Sequence, residues 1–415
     1  MDIIIGSGVS GLSYAMFNSD DYIILEKDNL PGGYCKTTKR NGYVWDYSGH
    51  FFHFKDKKFK DIICNDISED ALETVNKSTR IIYKHKYIDY PFQKNIHQLS
   101  KSEMIDCIYD LFNTQGNSYS NFLEMLYCKF GKSIAEKFLK PYNEKLYACD
   151  LNQLDKDAMG RFFPYAEKEE IIKNFKSTNN SSYNESFVYP KNGAIEYINA
   201  ILNKIDTAKI KYNHNVVRID LDEHKVHLDN GTTIEYDRLI STMPFPELLE
   251  KSNVQFDKDI YTWNKVLVFN LGFDKKGPNK KDHWLYFPEK KYSFYRVGFY
   301  DNILNQERMS LYVEIGFNKS EIIDPDKWLD RVIHDLRHAG IMSEDQELVD
   351  YETIIMDPAY VHINSKSIKD VINKKDYLKS KNVYSIGRYG SWTYCSIEDN
   401  IKEAFNLVST LKNEE

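Results

Sequence analysis

No C-x-x-C pair exists in this chain. Its six cysteines, Cys35, Cys64, Cys107, Cys128, Cys149 and Cys395, are scattered. That spacing fits neither a zinc site nor a disulfide scaffold, and it suits a reducing compartment. No apolar run approaches the roughly 18 residues that a membrane-spanning helix needs. A strand-like run begins at residue 2, which leaves no room for a leader peptide. The cytoplasm is the expected location, with no membrane partner. Positive charge is not in excess either. Lys and Arg number 55 against 62 Asp and Glu, a formal net charge of −7, so general nucleic-acid binding, which needs a basic footprint, is excluded. An anionic ligand would have to be held by locally placed arginines against that field. Neither a metal constellation nor a Ser-His-Asp arrangement is evident, and no metal is expected.

What is present is length and aromatic surface. With 415 residues the chain can form two or three domains, or one fold with a large insertion. Aromatic residues make up 14%, with 31 Tyr and 23 Phe, a surplus that suits stacking on flat or ring-shaped ligands. Compositional drift explains it equally, since Lys, Asn, Ile and Tyr are all abundant.

The most informative stretch is DIIIGSGVSGLSYAMFNSDDYIILEKDNLPGG. An apolar run ends at Gly6, and Gly6, Gly8 and Gly11 form G-x-G-x-x-G before a helical pattern. A second apolar run, Tyr22 to Leu25, ends in Glu26. Gly6 permits a tight turn, Gly8 lets the backbone approach a pyrophosphate, and Gly11 lets helix and strand pack closely. The phosphates meet the positive end of the helix. Glu26 accepts hydrogen bonds from a ribose 2′-OH. Strand, helix, strand and terminal acid stand in the order that dinucleotide binding requires. Gly32 and Gly33 follow the acid at once, where a simple NAD unit has no need of glycines. They resemble the extended fingerprint of the FAD family that includes amine oxidases and UDP-galactopyranose mutase.

Further along, residues 100–166 read as helical. Phe122, Leu123, Leu126, Tyr127 and Phe130 share one face, and Gly131 is a natural cap. Residues 210–244 alternate and turn like a β meander, with a turn at Asp229-Asn230-Gly231. The stretches WNKVLVFNLGF, HWLYFP, YSFYRVGFY and RMSLYVEIGF read as strands of a second sheet, and KNVYSIGRYGSW as a last strand before the final helix. The expected class is α/β. A discontinuous Rossmann-like FAD-binding domain is expected over 1–75, 187–255 and 350–415. A helical substrate domain is expected over 98–175, and a β-sheet substrate domain over 76–97 and 256–349.

Several segments in order resemble UDP-galactopyranose mutases, nearer the eukaryotic-type branch. They are YVWDYSGHFFHF, YIDYPFQKNIHQL, FLKPYNEKLYA, NESFVYPKNGAIEYI, SFYR, DPAYVHI and GRYGSWTY. The resemblance spans nearly the whole chain. It implies that His50 and Gly49 lie beside the flavin ring and that Arg161 and Arg296 grip a substrate diphosphate. It places Tyr360 and Tyr394 on the same phosphates, and Arg388 near flavin and sugar. Tyr90, Gln93, Asn143, Tyr147 and Asn184 then belong to the nucleotide-sugar pocket, and Val217 and Gly387 to the cofactor site. Two guanidinium forks suit a diphosphate better than two ammonium groups. Ser396 with Asp399 reads as a cap for the last helix, whose positive end would face the flavin pyrimidine.

The activity so implied is a pyranose–furanose isomerisation of a nucleotide-diphosphate sugar through a flavin N5–sugar adduct. FAD is active when reduced, with NADPH or NADH as reductant. Tyr147 stands where the family tends to have Trp, and Thr393 where Arg is common. A substrate other than UDP-galactose, such as an N-acetylhexosamine, 6-deoxyhexose or pentose, is compatible with those departures. Two other readings remain open at this level: an FAD-dependent oxidase or desaturase of the amine-oxidase class, and a non-enzymatic binding protein on the same scaffold, as with proteins that extract prenylated small GTPases.

Overall fold

The computed structural model describes residues 1–114, 116, 118–176, 180 and 186–414. A five-stranded parallel sheet is drawn from three separated stretches of chain. Its order is Val383–Ser385, Arg238–Ser241, Asp2–Ile5, Tyr22–Leu25, Ile210–Lys211. Its strands read as short apolar runs because both faces are covered. Ile4, Ile24 and Ile240 face one apolar cluster, completed by the first helix, Val9–Phe17, and the last, Ile397–Glu414. Ile3, Ile5, Leu25 and Leu239 face the opposite cluster, with Phe245 and Leu248. That alternation is the two-residue period of a strand. The first and last helices are clasped by Phe17 against Phe405, ring centroids 5.1 Å apart, and by Ser10 Oγ donating to Asn400 Oδ1 at 3.1 Å.

Residues 210–244 divide between two sheets. Val216–Asp220, Lys225–Leu228 and Thr233–Glu235 form an antiparallel meander, whereas the strands on either side of it join the parallel sheet. The second large sheet runs Leu348–Met356, Thr262–Phe273, Ser310–Asn318, Arg296–Phe299, Trp284–Tyr286, Thr79–Tyr83, Lys86–Asp89. Helices Lys101–Phe112, Phe122–Ile134 and Lys140–Tyr147 pack against it through one cluster that includes Phe122, Leu126, Phe130, Tyr147, Val268 and Tyr312. Gly131 interrupts the middle helix rather than ending it. Its φ of 75° makes a kink, and a Cβ there would meet the Asp110 backbone at 2.5 Å. Buried Asp46 ties the sheets to the loop at residue 193. It accepts from Thr37 Oγ1 at 2.6 Å, Tyr189 OH at 2.7 Å and the Ala194 N–H at 3.0 Å. Among the described residues, no helix is long and apolar enough to cross a membrane.

Candidate active site

A cavity of 770 Å³ runs from the ends of the parallel strands to the inner face of the second sheet. This lies within the usual size of a cofactor or ligand pocket. At its first end, Gly6 has φ 98°, and Gly8 caps the first helix with no side chain over the helix N–H groups. Those groups are thus left for an anion. A Cβ on Gly11 would overlap the Gly6 carbonyl oxygen, so this glycine packs helix on strand and does not line the cavity. Glu26 closes the second strand, accepting from Ser7 N and Ser7 Oγ, both at 2.7 Å, and from the Asp28 N–H at 2.9 Å. The loop through Gly32 and Gly33 folds back onto the first turn. Gly32 N donates to Ser7 O at 2.8 Å, and a Cβ on Gly33 would lie 3.4 Å from Gly8 Cα. Two backbones that close leave a flat cradle for a dinucleotide. Gly387, φ 87°, completes it from the C-terminal side, where any side chain would strike Ser10.

The far end is cationic and ringed by tyrosines. Arg388 lies 4.6 Å from the Tyr394 ring centroid and 5.2 Å from that of Tyr360, and those two rings stack at 5.9 Å. Arg388 Nε is buried without a hydrogen-bond partner, and among the described residues no carboxylate pairs with it. Arg296 is different. Its Nε and a terminal nitrogen donate to Glu314 at 2.5 and 2.7 Å, and Glu314 also accepts from Ser48 Oγ. Tyr90, Tyr286, Tyr295 and Asn143 also line this end. His50 and Gly49 lie on the cavity wall, with His50 Nδ1 buried and unpartnered. A Cβ on Gly49 would reach Phe51 at 2.7 Å, which explains glycine in that loop. Ser396 Oγ accepts from Asp399 N at 3.2 Å and the Asp399 carboxylate accepts from Ser396 N at 2.8 Å, the reciprocal cap that the sequence predicts.

Other expected residues stand elsewhere. Arg161 does not line the cavity: one terminal nitrogen donates to both Asp399 oxygens at 2.6 Å, although Met159, Phe162 and Phe163 beside it are wall residues. Gln93 is buried behind the wall, its amide donating to Pro164 O. Tyr147 is likewise buried outside it, with its hydroxyl unpartnered. Val217 is a correction. It is 45% exposed, and its neighbour Val216 lines the cavity instead. The pairing register shifts between Val216 and Arg218, and that irregularity turns the side chains one position from simple alternation. Asn184 lies outside the described residues.

Two wall residues escape sequence reasoning. Lys77 sits 5.4 Å from the Tyr90 ring and 5.5 Å from that of Trp284, and burial together with Arg296 pushes its ammonium down to about 8. Nothing in its local sequence marks it. Glu314 did leave a signal, as a lone carboxylate in an otherwise apolar strand, SLYVEIGFN.

Burial also holds His50, His53, His283 and His362 neutral, each pushed down to about 4, and the Arg388 charge adds to the effect at His50. A folded pKa below the free value of 6.5 contributes stability in full above that pH, and the contribution is lost as pH falls through about 4. For fully buried His362 this is on the order of 3 kcal/mol. Asp46, pushed up to about 6, and Asp301, also raised by burial, work in the opposite sense but are two groups against four. Melting followed by circular dichroism is therefore expected to show Tm falling across this window. The His362→Gln variant is expected to show a shallower fall than the parent, and equal slopes would contradict the assignment.

A family model described as flavin containing amine oxidoreductase matches residues 12–353. The crystal structure of a reduced UDP-galactopyranose mutase superposes with a TM-score of 0.92 and 23% identity, covering all of this chain and 96% of that one. Cyclohexylamine oxidase from Brevibacterium oxydans IH-35A superposes with a TM-score of 0.72 and 12% identity, covering 100% and 98%. A coproporphyrinogen III oxidase from Staphylococcus aureus (strain NCTC 8325 / PS 47) is 22% identical over 281 residues, 58% of this chain. That match spans only 60% of the curated relative's length. At these identities the likeness is one of fold, a discontinuous Rossmann-like domain with helical and β-sheet additions.

Proposed function

This chain belongs to the flavin containing amine oxidoreductases and its cofactor is FAD; on that premise we propose that it interconverts pyranose and furanose forms of a nucleotide-diphosphate sugar. The observation that carries the reading is Arg388. It is a guanidinium beside the stacked Tyr360 and Tyr394 rings, with a buried unpartnered nitrogen and no carboxylate beside it among the described residues. A protonated amine or an apolar substrate would leave that charge unsatisfied, whereas a diphosphate complements it. Lys77 and the Arg296–Glu314 pair share this wall, so a cationic substrate would meet two positive charges, Arg388 and Lys77, that no carboxylate among the described residues offsets.

Reduced FAD, when bound, supplies the nucleophile for the sugar's anomeric carbon, with NADPH or NADH as its reductant. The residues of this chain have the remaining tasks. Arg388 and Arg296 hold the departing diphosphate and favour the charge it gains. Glu314 fixes the Arg296 fork so that it is oriented before substrate arrives. Tyr360 and Tyr394 offer phosphate hydrogen bonds, while Tyr90 and Asn143 border the sugar and nucleoside. Neutral His50 can accept or donate a hydrogen bond at the flavin edge without adding a fourth positive charge. Arg161, tied to Asp399, stands at the cavity rim beside Phe162.

The test is a product assay. Holoprotein reduced anaerobically with dithionite is incubated with UDP- and dTDP-sugars, and products are separated by anion exchange. The expected result is an isomeric product that appears only with reduced protein. Reoxidation of the flavin by oxygen after bleaching with a primary amine, with no isomer formed, would replace this reading with the oxidase one.

A further inference from the structure

Helix Lys140–Tyr147 and the connection between strands Trp284–Tyr286 and Arg296–Phe299 meet at one buried point. There Lys145 Nζ donates to the Phe287 carbonyl at 2.8 Å, Glu289 at 3.2 Å, Tyr292 at 3.0 Å, and to that of Phe294. Four carbonyls from one eight-residue stretch thus turn inward onto a single ammonium. Such convergence is unfavourable without a cation, because each buried carbonyl left unpaired costs roughly 1–3 kcal/mol. The stretch makes few backbone bonds of its own, Phe287 N to Tyr295 O at 2.9 Å and Tyr292 N to Glu289 O at 3.3 Å; two side chains of one helix also hold it, Ser293 N donating to Asp335 at 2.7 Å and Arg331 to Lys291 O at 2.7 Å.

The helix end that supplies the lysine is itself fixed. Asn264 Nδ2 donates to Leu146 O, His362 Nε2 to Tyr147 O at 2.9 Å, and Asn318 Nδ2 to Ala148 O at 3.4 Å. These side chains satisfy carbonyls that a helix C-terminus leaves open. The ammonium is therefore held on a rigid mount, and residues on both sides of the stretch it gathers, Tyr286, Tyr295 and Arg296, line the cavity.

We propose that the Lys145 ammonium is the template on which residues 287–294 close, and that Lys145 is thereby a positioning residue for Tyr286, Tyr295 and Arg296. Its consequence for nucleotide binding rests on the function proposed above. The role is that of a bound cation, supplied by a side chain.

The test compares FAD-loaded parent, Lys145→Met, Lys145→Gln and Lys145→Ala. Hydrogen exchange by mass spectrometry is expected to accelerate at least tenfold within residues 284–296 of the Met variant and to stay unchanged in the parallel sheet. UDP titration followed by intrinsic fluorescence is expected to show at least tenfold weaker binding. In Lys145→Ala, ethylammonium chloride is expected to restore at least half of both effects, and tetramethylammonium chloride, which has no N–H, neither. Exchange that is unchanged or raised throughout the molecule, or equal rescue by both salts, would overturn the proposal. If Lys145→Met does not fold, Lys145→Gln, which keeps donors but not charge, carries the same comparison. A parent that binds no UDP defeats the nucleotide reading alone, because exchange and its rescue still decide the role of Lys145.

Discussion

Arg388→Ala is expected to lower kcat/KM for the nucleotide-sugar substrate at least a hundredfold while FAD stays bound. The guanidinium lies beside the stacked Tyr360 and Tyr394 rings, and its buried Nε has no partner among the described residues. Its charge is therefore not consumed by the fold, unlike that of Arg296, which is shared with Glu314. A preorganised donor aimed at developing charge contributes about 3–4 kcal/mol in comparable sites. Removing it leaves the anion only Lys77 and the Glu314-paired Arg296 on that wall. Arg388→Lys is expected to recover little, because an ammonium presents no planar fork to a phosphate. The check is steady-state kinetics with the visible flavin spectrum recorded on the same samples. A loss of less than threefold with full FAD occupancy would remove Arg388 from anion binding.

The second large effect falls on the cofactor. In Gly11→Ala the added methyl would overlap the Gly6 carbonyl oxygen and lie 3.2 Å from both Gly6 C and Ile4 Cγ2. None of these is a flexible chain end, so the first turn or the first helix must move. Overpacking of this kind costs about 1–3 kcal/mol, and displacement of the turn removes the close backbone approach on which the pyrophosphate depends. The expected product is a protein that melts lower and elutes from gel filtration colourless. Gly8→Ala separates the two consequences. Its added carbon meets only Gly33 Cα, at 3.9 Å, so the apoprotein is expected to melt as the parent does while FAD is still lost. Full flavin occupancy in either variant would contradict this account of the cradle.

The parts of the site that could be read from the sequence are those written within a few residues of one another. Gly6, Gly8, Gly11 and Glu26 form one strand–helix–strand unit, and Ser396 caps a helix through Asp399 three residues on. Their geometry is local, so spacing determines it. Arg161 shows the limit, since its partner Asp399 is 238 positions away and no local pattern could assign it. Val217 shows another. Its assignment rests on resemblance, and a placement one residue off along a strand exchanges the inward face, held by Val216, for the outward one. Lys77 becomes a wall residue only when Trp284 and Tyr90 are brought beside it. The four carbonyls around Lys145 are backbone groups, which side-chain identity does not report.

The five strands of the parallel sheet are spread from residue 2 to residue 385, and Gly387 and Asn400 close the cradle against Ser10. During synthesis the glycine turn is made nearly 400 residues before the wall opposite it. A ribosome-bound chain therefore carries the glycine turn without a closed pocket until the segment from Val383 to Asn400 has been made and has docked on Ser10. A chain ended ahead of Val383 would lack a sheet edge as well as a helix, and would expose Phe17 and its neighbours to the quality-control machinery that reads apolar surface.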